Sequence, residues 1–400
     1  MSKRALASSA FAFVLTMGFV NLFADVTYEG GAAINGPFLG ELGVGAATIS
    51  IIAGVGEALG YGLRSVSGYV ADRTGRYWLV TFIGYAINLL AVPAMALTHH
   101  WLAAGALILA ERIGRAIRKP TVEAMLSYST GKHGRGWVYA VNTAMDETGA
   151  TLGPLWMALT LYRNGGFRTG YALLLISSLL ALATLAIARW LFPVPSRLEH
   201  GGPRTARSVG FTASYWQYMI AGSFFAAGLM SFELISYHLA SSGIVAGYRI
   251  PVYLALATVM SIVASLALGK LYDKIGIGAV VIAVLLASCF SPLVFLGGAW
   301  LALAGLLLWG CGYATQDTLL KALIASVLPE GKRNLAFGLF YLGYGGGWLV
   351  GSIATGILYE HSRTALVVFA VVAQLASIPF FILAARGRAG AAGPTARTRS

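Results

Sequence analysis

Stretches of about 20 apolar residues, the length that lets a helix cross a bilayer, recur along the whole chain between short polar turns. Such windows fall at 8–30, 43–65, 77–97, 101–127, 136–162, 169–191, 213–239, 250–270, 277–297, 300–327, 334–359 and 364–385, numbered here as helices 1 to 12. Only 11% of residues are charged and 58% are apolar, whereas about a quarter of an ordinary soluble domain is charged. An all-α membrane protein of twelve transmembrane helices is therefore expected, with no separate soluble domain. The 50 glycines suit the same solvent, because helices in lipid associate through small residues that let backbones approach.

The first window follows only Lys3 and Arg4 and runs past Asp25 without a small-residue cleavage pattern, so it reads as helix 1 and not as a removed signal peptide. Cys289 and Cys311 lie inside apolar stretches, which speaks against a disulfide framework or a thiolate metal site. One polar connector, FPVPSRLEHGGPRTARSVG, separates helices 6 and 7. It divides the chain into a six-helix bundle at 1–192, a cytoplasmic connector at 193–212, a second six-helix bundle at 213–386 and a tail at 387–400.

The net charge of +13 is confined to loops on alternate sides of the spans, which argues against nucleic acid and for a fixed membrane orientation. Lys3, Arg4, Arg73, Arg76, Lys132, Arg135, the connector, Lys270, Lys274, Lys332, Arg333 and the basic tail fall on one side; Arg163, Arg168, Arg249 and Arg363 fall on the other. Since cytoplasmic loops carry the excess of Lys and Arg, both termini are expected in the cytoplasm of a cell whose plasma (inner) membrane holds the protein.

The two halves resemble each other. SGYVADRTGRYW after helix 2 answers LGKLYDKIGIGA after helix 8, pairing Gly68 with Gly269, Asp72 with Asp273, Arg73 with Lys274 and Gly75 with Gly276. FADVTYE in helix 1 answers FELISYH in helix 7, pairing Tyr28 with Tyr237 and Glu29 with His238. At a constant offset of 198, Gly114 answers Gly312, Glu123 answers Lys321, Arg135 answers Arg333, Gly149 answers Gly347 and Gly153 answers Gly351. Parallel six-helix repeats place a site near the membrane midplane between halves that rock against each other.

A charge at the bilayer centre costs at least about 2.5 kcal/mol, so lipid-facing helices should lack ionisable residues. The interiors of helices 3, 6, 9 and 12 have none and read as outer struts. Asp25, Glu29, Glu57, Glu111, Arg112, Arg115, Arg118, Lys119, Glu123, Asp146, Glu147, Glu233, His238, Asp317 and Lys321 line the remaining interior, and eleven of these fifteen belong to the N-terminal half.

GYVADRTGRY, Gly68 to Tyr77, resembles the loop 2/3 signature of the major facilitator superfamily, and the resemblance extends over essentially the whole chain. It implies twelve helices in two pseudo-symmetric halves and secondary transport by alternating access. It also implies a conformational latch built from Gly68, Asp72, Arg73, Gly75 and Arg76, with the partial copy Gly269, Asp273 and Lys274. Tyr77 stands where a second base is usual, which implies a weaker latch. ERIGRAIRKPTVEAMLS is similar to the arginine-bearing helix 4 of proton-coupled members and, more closely, to a bacterial subgroup of unassigned facilitators. GATLGP, Gly149 to Pro154, resembles the exporters' helix 5 signature, with Met157 and Ala158 replacing its closing glycines.

Arg112, Arg115 and Arg118/Lys119 share one face of helix 4 and form a cationic stripe for acids or an anionic substrate, unless they serve only as internal ion pairs, Glu111 with Arg115 and Lys119 with Glu123. Asp25 and Glu29 lie i,i+4, just before Gly30 and Gly31 where helix 1 is expected to loosen. As like charges they raise each other's proton affinity. Asp146 and Glu147 should reach the depth of Arg118, since both lie about ten residues from the 4/5 loop at 1.5 Å per residue. Glu57 among Gly54, Gly56, Gly60 and Gly62 follows no strand, so close helix packing is preferred to a nucleotide loop. Gly149, Gly153, Pro154, Gly347 and Gly351 are read as helix-packing residues. Glu233, His238, Asp317 and Lys321 complete the cavity set. His99 and His100 have no companion ligand in sequence; no metal or cofactor is expected, and no catalytic set or phosphate loop supports an enzyme or an ATP-driven pump. Proton-coupled transport of a small solute by a monomer is the expectation, with export favoured over import. A nontransporting receptor or assembly protein of the same fold is the competing reading.

Overall fold

A computed structural model describes residues 3–127, 135–193, 211–325, 327 and 333–391. Their regular structure is helical, in twelve spans: α1 (Lys3–Glu41), α2 (Ala46–Thr74), α3 (Tyr77–Ala94), α4 (Trp101–Ser127), α5 (Arg135–Tyr162), α6 (Phe167–Leu191), α7 (Ala213–Gly228 and Phe232–Ser241), α8 (Arg249–Ile275), α9 (Ile277–Ser288 and Phe290–Leu296), α10 (Ala299–Ala314, a π turn over Thr315–Leu320, then Lys321–Ala325), α11 (Arg333–His361) and α12 (Arg363–Ala391). Eight of the spans, α1 to α3, α6 to α9 and α12, are long and apolar enough to cross a membrane by length and composition alone. Lys132 of loop 4/5, most of the connector and the tail beyond residue 391 lie outside the described residues.

Helix 1 does not loosen at Gly30 and Gly31 but continues to Glu41. Gly30 lies against Gly153 and Leu174, and Gly31 against Val92, so packing at these contacts offsets the entropic cost of helical glycine.

Helix 7, expected as one span, breaks at Leu229 to Ser231. In hydrocarbon the carbonyls released by such a break need new donors, and they have them: Gln374 Nε2 of α12 donates to Gly228 O at 3.0 Å and Trp309 Nε1 of α10 donates to Met230 O at 3.0 Å. Prolines inside α3 and α4 are accommodated by the same physics. Pro93 and Pro120 cannot donate to the carbonyls four residues earlier; Ser178 of α6 donates to Leu89 O at 2.9 Å and Ser67 of α2 donates to Ala116 O at 3.0 Å.

The described residues form two compact units, one within Met1–Arg204 and Phe232–Thr258, the other within Thr205–Ser231 and Val259–Ser400. In the first, Phe13, Met17, Val20 and Ala24 of α1 pack with Tyr85 and Leu89 of α3, Met125 of α4 and Leu185 of α6. The second segment of α7 also belongs to it, because Gly36 of α1 meets the backbone of Glu233 and Gly40 meets the ring of Tyr237.

Within the first unit, α1 and α5 touch at three successive turns, Gly18 on Met145, Leu22 on Gly149 and Val26 on Gly153. Within the second, α7 and α11 touch at Met219 on Gly343, Ser223 on Gly347 and Ala227 on Gly351. These contacts relate α5 to α11 by the expected offset of 198 and α1 to α7 by 201, as Leu22 maps onto Ser223. Gly68 facing Pro120 and Gly269 facing Thr318 obey the same two offsets. The pairing of Tyr28 with Tyr237 and Glu29 with His238 is thus out of register by eight residues. By contact, Glu29 corresponds to Met230, at the break in α7, so FELISYH lies beyond the repeat position of FADVTYE.

Candidate functional site

The polar interior of the first unit is assembled where α3 and α4 cross closely. A β-carbon on Gly84 would overlap the Arg118 backbone, and one on Gly114 would overlap the backbone of Asn88. Gly56 of α2 lies against the Arg112 side chain. Small residues thus bring three helix axes together around the arginines of α4.

Arg112 is the hub. Its Nη1 lies 2.6 Å from Glu57 Oε1 of α2, its Nη2 lies 2.8 Å from Glu233 Oε1 of α7, and its Nε lies 3.4 Å from Glu111 Oε2. Arg115 adds contacts of 3.4 Å to Glu111 and 3.7 Å to Glu57. Glu111, Arg112 and Glu233 are all buried. Buried charges persist only when paired and hydrogen-bonded, and a guanidinium with its fork of donors can serve several carboxylates at once. Glu29 of α1 is an electrostatic neighbour of Arg112, Glu111, Glu233 and Glu57.

Arg118 forms a second centre two turns along α4. Its Nη2 lies 3.9 Å from Asp25 Oδ1, its Nε donates to Asn88 Oδ1 at 3.1 Å, and its guanidinium lies over the ring of Tyr85 at 4.5 Å. Tyr28 faces both Arg115, at 4.8 Å, and Arg118, at 5.7 Å. The expected partner Asp146 is an electrostatic neighbour of Arg118, but the ion pair within 4 Å is with Asp25. Asp146 Oδ2 accepts from Asn142 Nδ2 at 3.3 Å, while its Oδ1 is buried without a hydrogen-bond partner among the described residues. Asn142 accepts from Asn21 at 2.9 Å, and Asn21 accepts from the Tyr85 hydroxyl.

Residues that a search for charge passes over therefore complete the network: Asn21, Tyr85, Asn88 and Asn142. Asn88 is fully buried, and its amide nitrogen donates to Glu111 Oε1 at 2.9 Å and to the Glu111 carbonyl at 3.2 Å. It sits on α3, expected only as an outer strut. The absence of charge does identify apolar faces, with Leu79, Ile83 and Leu90 exposed on α3, but neutral amides can occupy the opposite face. Gln374 of α12 and Ser177 and Ser178 of α6, which bond to α7 and to Thr27, do the same on two other struts. Exposed apolar side chains also occur on α5, α8 and α11, among them Leu159, Val263 and Val350, so an apolar surface is not confined to every third helix.

The remaining candidates are placed elsewhere. Glu147 is half-buried on α5, and His238 is buried on the second segment of α7, its carbonyl accepting from Ser242. In the second unit Asp317 and Lys321 pair at 2.9 Å on and just after the π turn, each about half exposed. Lys119 and Glu123 are exposed at the end of α4. In the latch segment Gly75 adopts the left-handed conformation, φ 63°, and its N–H closes α2 on Ala71 O; Gly276 has φ 56° and closes α8 on Tyr272 O. Arg73 donates to the Tyr69 hydroxyl at 3.1 Å, and Arg76, Asp273 and Lys274 are exposed. The Asp72 side chain lies outside the described residues.

Comparison with known proteins agrees with this architecture. The family model described as Major Facilitator Superfamily matches residues 6–320 and 219–399. An uncharacterized protein of Mycobacterium tuberculosis is 34% identical over 381 residues, covering 93% of this chain and 92% of the relative. An uncharacterized MFS-type transporter of Methanocaldococcus jannaschii is 25% identical over 370 residues, covering 87% of this chain and 89% of the relative. Among solved structures, a variant of the peptide transporter POT superposes with a TM-score of 0.75 at 16% identity, covering 97% of this chain and 99% of that one. The nucleoside transporter NupG superposes with a TM-score of 0.70 at 13% identity, covering 96% and 100%.

Proposed function

From the premise that this chain belongs to the major facilitator superfamily, a family of multi-pass membrane transporters, we propose that it moves a small solute by alternating access coupled to protons, with export favoured over import. The observation that carries this reading is the unequal sharing of Arg118 between the buried carboxylate of Asp25 and the half-buried one of Asp146. It contacts Asp25 at 3.9 Å, while Asp146 lies within its field and accepts from Asn142. A carboxylate beside a guanidinium stays ionised, and one left alone in an apolar interior takes up a proton. A small movement of α1 or α5 along α4 would exchange the partners of Arg118 and so exchange which acid binds the proton. Transport is then coupled because only certain protonation states favour each conformation.

The basic loops support an orientation with both termini in the cytoplasm, and the order of the spans supports six-helix bundles at 1–192 and 213–386 as the rocking bodies. The experiment uses proteoliposomes carrying an imposed pH gradient and a solute first found by thermal-shift screening. Asp146→Asn and Asp25→Asn, made singly, should abolish accumulation against a gradient and leave solute exchange. Normal accumulation with unchanged pH dependence in both variants would overturn the reading. A receptor or assembly protein of the same fold would show neither accumulation nor exchange.

A further inference from the structure

The polar network has two charged centres, and Asn88 joins them through hydrogen bonds at both ends of its amide. The first centre gathers Glu57, Glu111, Arg112, Arg115 and Glu233, with Glu29 as electrostatic neighbour. The second gathers Asp25, Arg118 and Asp146, with Tyr28, Tyr85 and Glu29 around Asp25. Asn88 donates from Nδ2 to Glu111 Oε1 and accepts at Oδ1 from Arg118 Nε, at 2.9 Å and 3.1 Å. It is fully buried and occupies a helix whose span otherwise has no ionisable side chain between Tyr85 and the 3/4 turn.

An amide is suited to this place. It has one end that only donates and one that only accepts, so an ionised Glu111 and a cationic Arg118 each find their complement. A leucine of similar volume would leave both without that bond, and an aspartate would repel Glu111 while binding Arg118. Glycine contacts hold the amide in position: Gly84 and Gly114 bring the α3 and α4 backbones together at this crossing. When Glu111 gains or loses a proton, the strength of the bond from Asn88 changes, since a bond to an ionised acceptor is about twice as strong as a neutral one. Arg118, on the other end of the same amide, is then drawn toward or released from Asp25.

We propose that Asn88 is a positioning residue that couples the two centres, so that the charge state of Glu111 sets the hold of Arg118 on Asp25. The inference rests on the proton-coupled reading for its role in transport, but the coupling itself is testable without a solute. Full-length protein in detergent is compared as wild type, Asp25→Asn, Glu111→Gln and the double variant, each with Asn88 intact and with Asn88→Leu. With Asn88 intact, the shifts in Tm should be non-additive. In the Asn88→Leu background at least about half of that non-additivity should disappear, whatever Asn88→Leu does to Tm by itself. Asn88→Ser, which retains one hydroxyl and disturbs packing less, serves if the leucine variants do not fold, and should also weaken the coupling.

Infrared difference spectra across a pH titration supply the second readout. Glu111→Gln should move the proton affinity of the band lost in Asp25→Asn by about threefold or more when Asn88 is present, and by less than about twofold in Asn88→Leu or Asn88→Ser. Unchanged non-additivity in a folded Asn88 variant would overturn the inference. Absence of any titrating carboxyl band would overturn proton coupling at this site, while the Tm cycle would still decide the role of Asn88.

Discussion

Nη2 of Arg112 and Oε1 of Glu233 stand 2.8 Å apart, and the same guanidinium holds Glu57 through its other amino group. Removing the cation alone strands the buried carboxylate of Glu233 and leaves Glu57 only the longer contact with Arg115, and breaking a buried pair in this way costs about 3–5 kcal/mol. Arg112→Met should therefore sharply lower Tm or prevent folding. Arg112→Met combined with Glu233→Met should recover part of the loss, and Arg112→Lys, which cannot reach both carboxylates with a planar fork, should fall between. Thermal unfolding of the four proteins in one detergent checks the order.

The close approach of α1 to α5 predicts a contrast between glycines. Gly149→Leu and Gly347→Leu would each drive a side chain into a neighbouring backbone, and overpacking of this kind costs about 1–3 kcal/mol or more. A β-carbon added at Gly60 of α2 would meet nothing within 4 Å, so Gly60→Ala should be neutral or raise stability by up to about 1 kcal/mol. Parallel Tm measurements decide it.

Ser178 provides a sharper test of how proline is tolerated in α3. Its bond to Leu89 O should be worth about 0.5–1.5 kcal/mol, so Ser178→Ala should lower stability by that amount. In a Pro93→Ala background the helix supplies its own donor to Leu89 O, and the same serine substitution should cost clearly less. A double-mutant cycle on unfolding free energy reads the difference.

Arginine placed at Ile83, Leu179 or Val372, which are exposed on α3, α6 and α12, should reduce membrane insertion by an amount near 2.5–3.5 kcal/mol, roughly the cost at a span centre. Neutralising the half-exposed pair with Asp317→Asn should cost no more than about 1 kcal/mol. Insertion yields and Tm separate the two classes.

Asp72 carries the expectation attached to the loop 2/3 signature. Asp72→Asn should change the balance between inward-open and outward-open states and slow transport, with solute affinity altered by only about a few-fold. Spin-label distances across the two bundles, with binding measured on the same protein, test this. A large loss of affinity at unchanged distances would count against a latch.

Twelve spans are legible in the sequence because bilayer thickness sets one length for all of them, and the charges of α4 are legible because lipid makes each one conspicuous. The break in α7 and the π turn in α10 are not: Leu229 to Ser231 is as apolar or as small as its surroundings, and nothing in TQDTLL, Thr315 to Leu320, distinguishes a π turn from an ordinary helical one. The break in α7 depends on donors far away in sequence, Gln374 and Trp309. Asp25 and Arg118 can be singled out by residue type, but their pairing cannot, because depth along α4 leaves the azimuth of α1 and α5 undetermined. Asn88 escapes notice in YAINLLAV because a search for charge does not register a neutral amide.

At the first of the three matched turns the two units use the same space with opposite assignments. Glycine stands on α1 and methionine on α5 at Gly18 and Met145, whereas methionine stands on α7 and glycine on α11 at Met219 and Gly343. If both units descend from one duplicated ancestor, the bulky residue has changed helices in one copy while the filled gap stayed the same. Two residues cannot change at once without an intermediate, and the alternatives are unequal. Methionine on both sides would force the axes apart, while glycine on both sides would leave only a void to be tolerated. On such a descent the loosely filled form is the easier intermediate, and ancestral reconstructions of this contact should then contain two small residues.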